Sequence, residues 1–217
     1  MRNAIFGLLF FSFWASAQTT TDSKYREDQL YATIGYPLLL DAPEGVTQNK
    51  LSHTFSFGFI RDMPFTANRN LALGVGLGVA YNVIYTNYQY DSIENSFLIV
   101  PNDIVNQWNS SEIEIPIEFR WRDSSPTNYH FWRVHAGIVG YYTLNATQHS
   151  RNGLSDSKTA LSLDKFRLAF RLNVGNNTWN LTYSFPIDTL FETIEPFQNK
   201  PFSTIKYAKL GLIFYIF

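Results

Sequence analysis

The chain has 217 residues, 45% of them hydrophobic and 17% aromatic, so it is not disordered and is long enough for one sizeable folded domain. A formal net charge of −1 offers no broad basic surface for nucleic acid, and the absence of cysteine excludes disulfides and thiolate metal sites. Beyond the first residues, no hydrophobic run approaches the ~18 residues of a membrane-spanning helix.

The N-terminus has the form of a secretory signal peptide over 1–17. A basic Arg2 precedes the apolar run 5–14, and ASA (15–17) fits the small-residue cleavage rule. The apolar run is roughly half the length that spans a bilayer, which disfavours a membrane anchor. We therefore predict cleavage before Gln18, export from the cytoplasm, and a flexible periplasmic leader over 18–28.

The remaining chain, 29–217, alternates apolar and polar residues with the period of a β-strand. Eight such segments are predicted, near 29–40, 51–61, 70–87, 112–122, 130–146, 163–174, 178–186 and 204–217. Short turns rich in Asp, Asn, Pro and Gly alternate with long loops over 88–111, 147–162 and 187–203. This asymmetry is typical of an eight-stranded antiparallel up-and-down transmembrane β-barrel with short periplasmic turns and longer extracellular loops.

Alternation alone leaves a soluble, lipocalin-like binder open, since such a barrel turns its apolar face inward whereas a membrane barrel turns it toward lipid. In NLALGVGLGVAYN (70–82) one face carries only Gly and Ala, which suits a crowded lumen better than a water-exposed face. A phosphate-binding glycine loop does not fit, because no helix start follows the glycines. The chain also ends within a strand, YAKLGLIFYIF (207–217), which resembles the C-terminal signal of outer-membrane barrels.

Tryptophan is placed as at a membrane interface. Three tryptophans flank the predicted short turns on the apolar faces of their strands, and we predict that they form an aromatic girdle of Trp121, Trp132 and Trp179.

The segment SSEIEIPIEFRWR (110–122) alternates isoleucine with charge. A charge that faced lipid near the midplane would cost up to about 2–4 kcal/mol, so the charged face is expected to line the lumen. The interior of an eight-stranded barrel is just wide enough to be filled by side chains, so we predict a structural ion-pair plug. The predicted lumen ion-pair network comprises Glu112, Glu114, Glu118, Arg120, Arg133, His135, Arg167 and Arg171. Pro116, in mid-strand, predicts a β-bulge there.

No catalytic motif stands out. The four histidines show neither a nucleophile–base–acid set nor metal-ligand spacing, so we predict that the protein is not an enzyme and binds no metal or cofactor. A lipid-modifying enzyme at the barrel rim stays open as an alternative.

The loop FLIVPNDIVNQWNSS (97–111) is too apolar for an ordinary solvated loop. It is a lid on the barrel mouth, an extension of the flanking strands, or a surface for other envelope or secretion-system proteins. The candidate partner surface comprises Phe97, Ile99, Ile104, Val105 and Trp108.

Several stretches together resemble one family: the signal peptide, IGYPLLLDAPEG (34–45), the glycine-striped third strand, IEIPIEFRWR (113–122), FWRVHAGI (131–138) and the terminal Phe217. It is the family of small outer-membrane β-barrels, PorT-like proteins included, of bacteria that carry the type IX secretion system. The resemblance covers essentially the whole mature chain and implies an eight-stranded barrel without enzymatic residues. Because PorT itself takes part in protein secretion, we expect a scaffold or accessory subunit of an envelope or secretion assembly, embedded in outer-membrane lipid.

Overall fold

The structure, a computed structural model, describes residues 28–48, 50–66, 70–91, 96–101, 105–123, 132–152, 155–161, 163–176, 178–191 and 204–216. The predicted signal peptide and all but the last residue of the predicted leader lie outside these ranges. The strands are β1 Asp28–Leu40, β2 His53–Pro64, β3 Leu71–Tyr85, β4 Tyr88–Asp91, β5 Ser96–Ile99, β6 Val105–Arg122, β7 Trp132–Asn152, β8 Ser155–Ala160, β9 Phe166–Asn176, β10 Trp179–Pro186 and β11 Lys206–Ile216. The described part of the chain contains no helix long and apolar enough to cross a membrane.

Eight of these strands form a closed antiparallel barrel. Each of β1, β2, β3, β6, β7, β9, β10 and β11 pairs with its neighbours in chain order, and β1 pairs with β11 to close the cylinder. Leu30, near the start of the first strand, lies opposite Ile216 near the end of the last. The eight-stranded up-and-down barrel predicted from the alternation is therefore confirmed.

The barrel wall has its apolar face outside. On β6, Ile115, Ile117 and Phe119 are 40%, 49% and 65% exposed, whereas the intervening Glu114 and Glu118 are at most 1% exposed. A soluble barrel would have the opposite polarity. The exposed band is what lipid covers in a membrane barrel, and the lumen is charged.

The predicted bulge at Pro116 is wrong. Pro116 lies opposite Val139 in an unbroken register with β7, and the register shift occurs between Ser111 and Glu112, where Leu144 is the extra residue on β7. In a strand, the N–H and the carbonyl of one residue face the same neighbour, so a proline weakens the ladder on one side only. On β6, the pairing with β3 is interrupted between Ile117 and Glu114 and continues beyond them in the same register.

The structure adds three short strands that the sequence pattern did not predict. β6 and β7 run for 18 and 21 residues and continue past the barrel at the long-loop end, where β8 pairs with β7. β4 and β5 form a separate hairpin within the long connection between β3 and β6. These elements build a cap over the end of the barrel that outer-membrane barrels turn toward the exterior.

Candidate functional site

The half of the lumen nearer the long loops is organised around Glu112, which is completely buried. Its carboxylate accepts hydrogen bonds from Arg167, from Lys209 Nζ at 3.1 Å and from the Tyr207 hydroxyl at 2.7 Å. The Arg167 guanidinium also lies 4.7 Å from the centre of the Tyr207 ring. A buried carboxylate needs such a set of partners to offset its lost hydration.

Glu114 joins two sides of the barrel. Its Oε1 accepts a hydrogen bond from Arg171 Nη2 at 3.1 Å, and its Oε2 accepts a hydrogen bond from the Tyr31 hydroxyl at 3.1 Å. Two strands lie between these residues, because the paired row runs from Tyr31 through Gly58 and Gly78 to Glu114. A methyl group at either glycine would collide with the Tyr31 side chain. The glycine stripe thus gives Tyr31 room to cross the inner wall and reach the carboxylate.

The half of the lumen nearer the short turns is built around Arg120. Its guanidinium forms an ion pair with Asp62 and donates to Gln29 Oε1 at 2.6 Å. Its Nε donates to His135 Nδ1 at 3.3 Å, and the Tyr215 hydroxyl lies 3.1 Å from the same nitrogen.

The other two predicted members of the network lie at the same level. Glu118 accepts from Asn173 Nδ2 at 3.2 Å, and Asn173 also donates to the Tyr215 hydroxyl. The Arg133 guanidinium lies 5.8 Å from the Tyr215 ring centre. All eight residues of the predicted network are thus buried in the lumen, although Arg120 pairs with Asp62 rather than with a glutamate of β6.

Sequence reasoning missed several members of the plug. Asp62 falls in a segment predicted as a turn, but β2 continues through it to Pro64 and buries its carboxylate. Lys209 and the three tyrosines Tyr31, Tyr207 and Tyr215 were not predicted as members of the network, and all four are buried. Alternation continued through residue 62 was the one signal that could have identified Asp62.

The cavities lined by described residues are small. Three cavities lined by described residues each hold about 10 Å³, enough for about one water molecule. The ion pairs and tyrosines therefore fill the interior as a plug.

The cap closes the long-loop end with aromatic packing. Phe97 of the β4–β5 hairpin stacks on Tyr88, with 4.8 Å between the ring centres. The rings of Trp108 and Phe191 contact the Phe97 ring edge-on. Gln148 of β7 donates to the carbonyl of Tyr90 and accepts from its N–H, which ties the hairpin to the extended barrel wall. Burial raises the pKa of the Tyr88 hydroxyl above its ordinary value, so this ring stays neutral.

The residues of the candidate partner surface occupy different environments. Phe97 and Trp108 are buried in the cap, whereas Ile99 and its neighbour Leu98 are 50% and 46% exposed. Ile104 and the side chain of Val105 lie outside the described residues. Phe97 and Trp108 thus act as part of a lid in this structure, and Leu98 and Ile99 are the side chains that the hairpin presents outward.

The three tryptophans of the aromatic girdle all lie at the short-turn end and point outward. Trp121 is the penultimate residue of β6, Trp132 begins β7 and Trp179 begins β10, and each side chain is exposed. This placement suits an aromatic girdle at headgroup level, and the membrane position of the three side chains stays a prediction.

Two of the described histidines lie in separate environments. His135 is part of the plug, and His149 lies on the extension of β7 beyond the barrel. No group of three or more His, Cys, Asp or Glu side chains within the described ranges could hold a metal ion.

Comparison with known proteins agrees with this architecture. The outer membrane protein beta-barrel domain family matches residues 16–203, most of the chain. No curated protein and no solved structure matches at a significant level. The closed barrel, its inverted polarity and this match lead to one conclusion: the chain belongs to the outer membrane protein beta-barrel domain family and is a protein of the outer membrane.

Proposed function

We propose that this barrel is a non-enzymatic scaffold or accessory subunit of an envelope assembly, and that the assembly is a type IX, PorT-like protein secretion system. The observation that supports a role other than transport is the lumen plug, in which Glu112 and Glu114 form ion pairs with cations of β9 and β11. An interior occupied by paired charges and tyrosines leaves no aqueous path of useful width. The protein would then act through its outer surfaces rather than through its lumen.

Its cap provides a preformed support for a partner. The β4–β5 hairpin is held by Gln148, and Asn106 Nδ2 donates to the carbonyl of Tyr88 from the neighbouring strand β6. Leu98 and Ile99 are therefore presented from a fixed hairpin. A rigid surface loses less conformational entropy on binding than a mobile loop does, which favours recognition at this position.

A complementation experiment tests the proposed role. Cells that lack the protein should secrete type IX cargo poorly, and the wild-type gene should restore secretion. The double variant Leu98→Asp/Ile99→Asp should fold, because both side chains are exposed, yet restore secretion poorly and lose cross-links to other secretion components. Leu51→Asp is the matched control, since Leu51 is an exposed leucine on another long loop. Normal secretion in the deletion strain would refute the secretion role, and equal behaviour of the two variants would refute the hairpin surface.

A conductance measurement tests the plug separately. The purified barrel in a planar bilayer should give no steady ion conductance above the lipid background. Stable open channels would show that the lumen conducts, and the scaffold proposal would lose its main support.

A further inference from the structure

The wall of the barrel contains an interruption between β10 and β11. Pairs between these strands run from Asn180–Ile213 to Ser184–Lys209, although β10 continues to Pro186 and remains paired with β9 there. Proline has no N–H to donate to a ladder. The next recorded backbone link across this junction is the bond from Leu190 N to Ile205 O, at 2.7 Å. We call this interruption the β10–β11 seam, with Phe185 and Pro186 on one side and Tyr207 and Ala208 on the other.

A small cavity lies at the seam. Arg167 and Lys209 line it from the lumen, and Leu168, Pro186 and Asp188 line it from the wall. Its volume is about 10 Å³, which is room for one oxygen atom of a ligand. The cavity thus brings buried cations to an interrupted part of the wall.

Arg167 has unused hydrogen-bonding capacity at this cavity. Its residue is 5% exposed, and its Nη2 donates to Glu112 and to the Tyr207 hydroxyl. Its buried Nε has no hydrogen-bond partner. A buried guanidinium N–H without an acceptor is costly, so an acceptor oxygen placed in the cavity would be stabilised.

The position of the seam relative to the girdle indicates what reaches it. Pro186 lies seven residues beyond Trp179 on the same strand. At about 3.3 Å per residue and about 40° of tilt, this places the seam roughly 18 Å above the girdle. The apolar band of such barrels is about 25 Å tall, so the seam lies about 7 Å inside the edge of that band opposite the girdle. Phe185 and Ile187, next to the seam, are exposed on the lipid side.

We propose that the β10–β11 seam binds the anionic head group of a membrane phospholipid, with one phosphodiester oxygen drawn into the cavity to accept a hydrogen bond from Arg167 Nε. The acyl chains lie along Phe185 and Ile187. Asp188, whose Oδ2 accepts a hydrogen bond from Leu168 N at 2.8 Å, also lines the cavity, and its carboxylate disfavours a second negative charge there. The site therefore selects a singly charged phosphodiester over a dianionic phosphate. This inference is independent of the scaffold role.

Native mass spectrometry of the purified full-length barrel in detergent tests the site. Phosphatidylglycerol is the probe, diacylglycerol with the same acyl chains is the control without a phosphate, and inorganic phosphate is the control without a lipid. We expect one retained phosphatidylglycerol, about tenfold less diacylglycerol, and no retained phosphate, because a charge-assisted hydrogen bond discriminates by about that factor. Equal retention of the two lipids, or retention of free phosphate, would overturn the proposal.

Matched variants locate the site. Arg167→Gln should lower phosphatidylglycerol retention about tenfold. Arg171→Gln should lower it much less, because Arg171 is an equally buried arginine that pairs with Glu114 and does not itself line the cavity, although it donates to Ser184, which does. Ala169→Val fills the cavity without changing a charge and should also lower retention, which keeps the test decisive if Arg167→Gln fails the heat-modifiability check for folding. The site would be refuted if Arg171→Gln lowered retention as much as Arg167→Gln, or if Ala169→Val left it unchanged.

Discussion

The row from Tyr31 across two glycines to Glu114 allows a quantitative test of the lumen packing. In Gly78→Ala, the new methyl group would meet the Tyr31 hydroxyl and would lie 2.9 Å from the carbonyl oxygen of Phe57. The side chain can be displaced, but the backbone oxygen of a paired strand cannot move far. Relief of the contact therefore requires Tyr31 to move away from Glu114.

Two costs follow from that displacement. Overpacking in a dense interior costs about 1–3 kcal/mol. Loss of the hydrogen bond from the Tyr31 hydroxyl to a buried carboxylate costs a further ~1–3 kcal/mol. Alanine restricts the unfolded chain more than glycine does, which stabilises the folded state by about 0.4–1 kcal/mol. We expect Gly78→Ala to lower the free energy of unfolding by about 1–5 kcal/mol in net terms.

Urea unfolding of the barrel in lipid vesicles, followed by tryptophan fluorescence and heat-modifiable gel mobility, measures this change. Gly140→Ala is the control, because its methyl group would meet Phe166 ring atoms at 3.4 Å, an ordinary contact. A double-mutant cycle with Tyr31→Phe should give costs that are less than additive by at least about 1 kcal/mol, since both changes remove the same hydrogen bond. The packing argument fails if Gly78→Ala and Gly140→Ala cost the same, or if the cycle is additive.

Three further predictions use the plug, the girdle and the cap. Glu112→Gln should lower the free energy of unfolding by about 3–5 kcal/mol in the same assay, because it leaves buried cations without their charge partner. Glu44→Gln, on an exposed loop, should change it hardly at all. Similar values for the two variants would contradict the plug. In single-tryptophan variants, lipids brominated near the head group should quench each tryptophan of the aromatic girdle more strongly than Trp108, and equal quenching would contradict the assigned membrane position. Gln148→Leu should speed amide hydrogen exchange in the β4–β5 hairpin while the barrel strands stay protected, whereas unchanged exchange would show that the amide clamp is dispensable.

The fold could be predicted because strand periodicity is a local property. On β6, the identity of each second residue assigns one face to lipid and one to the lumen, and the structure has Ile115 and Glu114 on those faces. The glycine stripe of β3 and the tryptophans near the turns gave the same polarity without knowledge of any contact. Because the local patterns of the separate segments indicated the same architecture, the number of barrel strands could be predicted as well.

The pairing inside the lumen could not be predicted, because it depends on register and on which walls face each other. Lys209 and Glu112 are 97 positions apart in the chain and are in contact at 3.1 Å. Tyr31 reaches Glu114 only because two glycines in adjacent strands share its row, a coincidence of three registers. The effect of Pro116 was mispredicted for a related reason: the loss of one N–H matters only on the side that it would have faced.

The pairing of the first barrel strand with the last has a consequence for biogenesis. Eleven residue pairs join β1 to β11, from Leu30–Ile216 to Leu40–Lys206. Until the final strand has been delivered, both edges of the sheet expose backbone groups that hydrocarbon cannot satisfy. Insertion must therefore wait for the whole translated and exported polypeptide, and a chain cut short by one strand would be a substrate for proteolysis rather than a smaller version of the same protein.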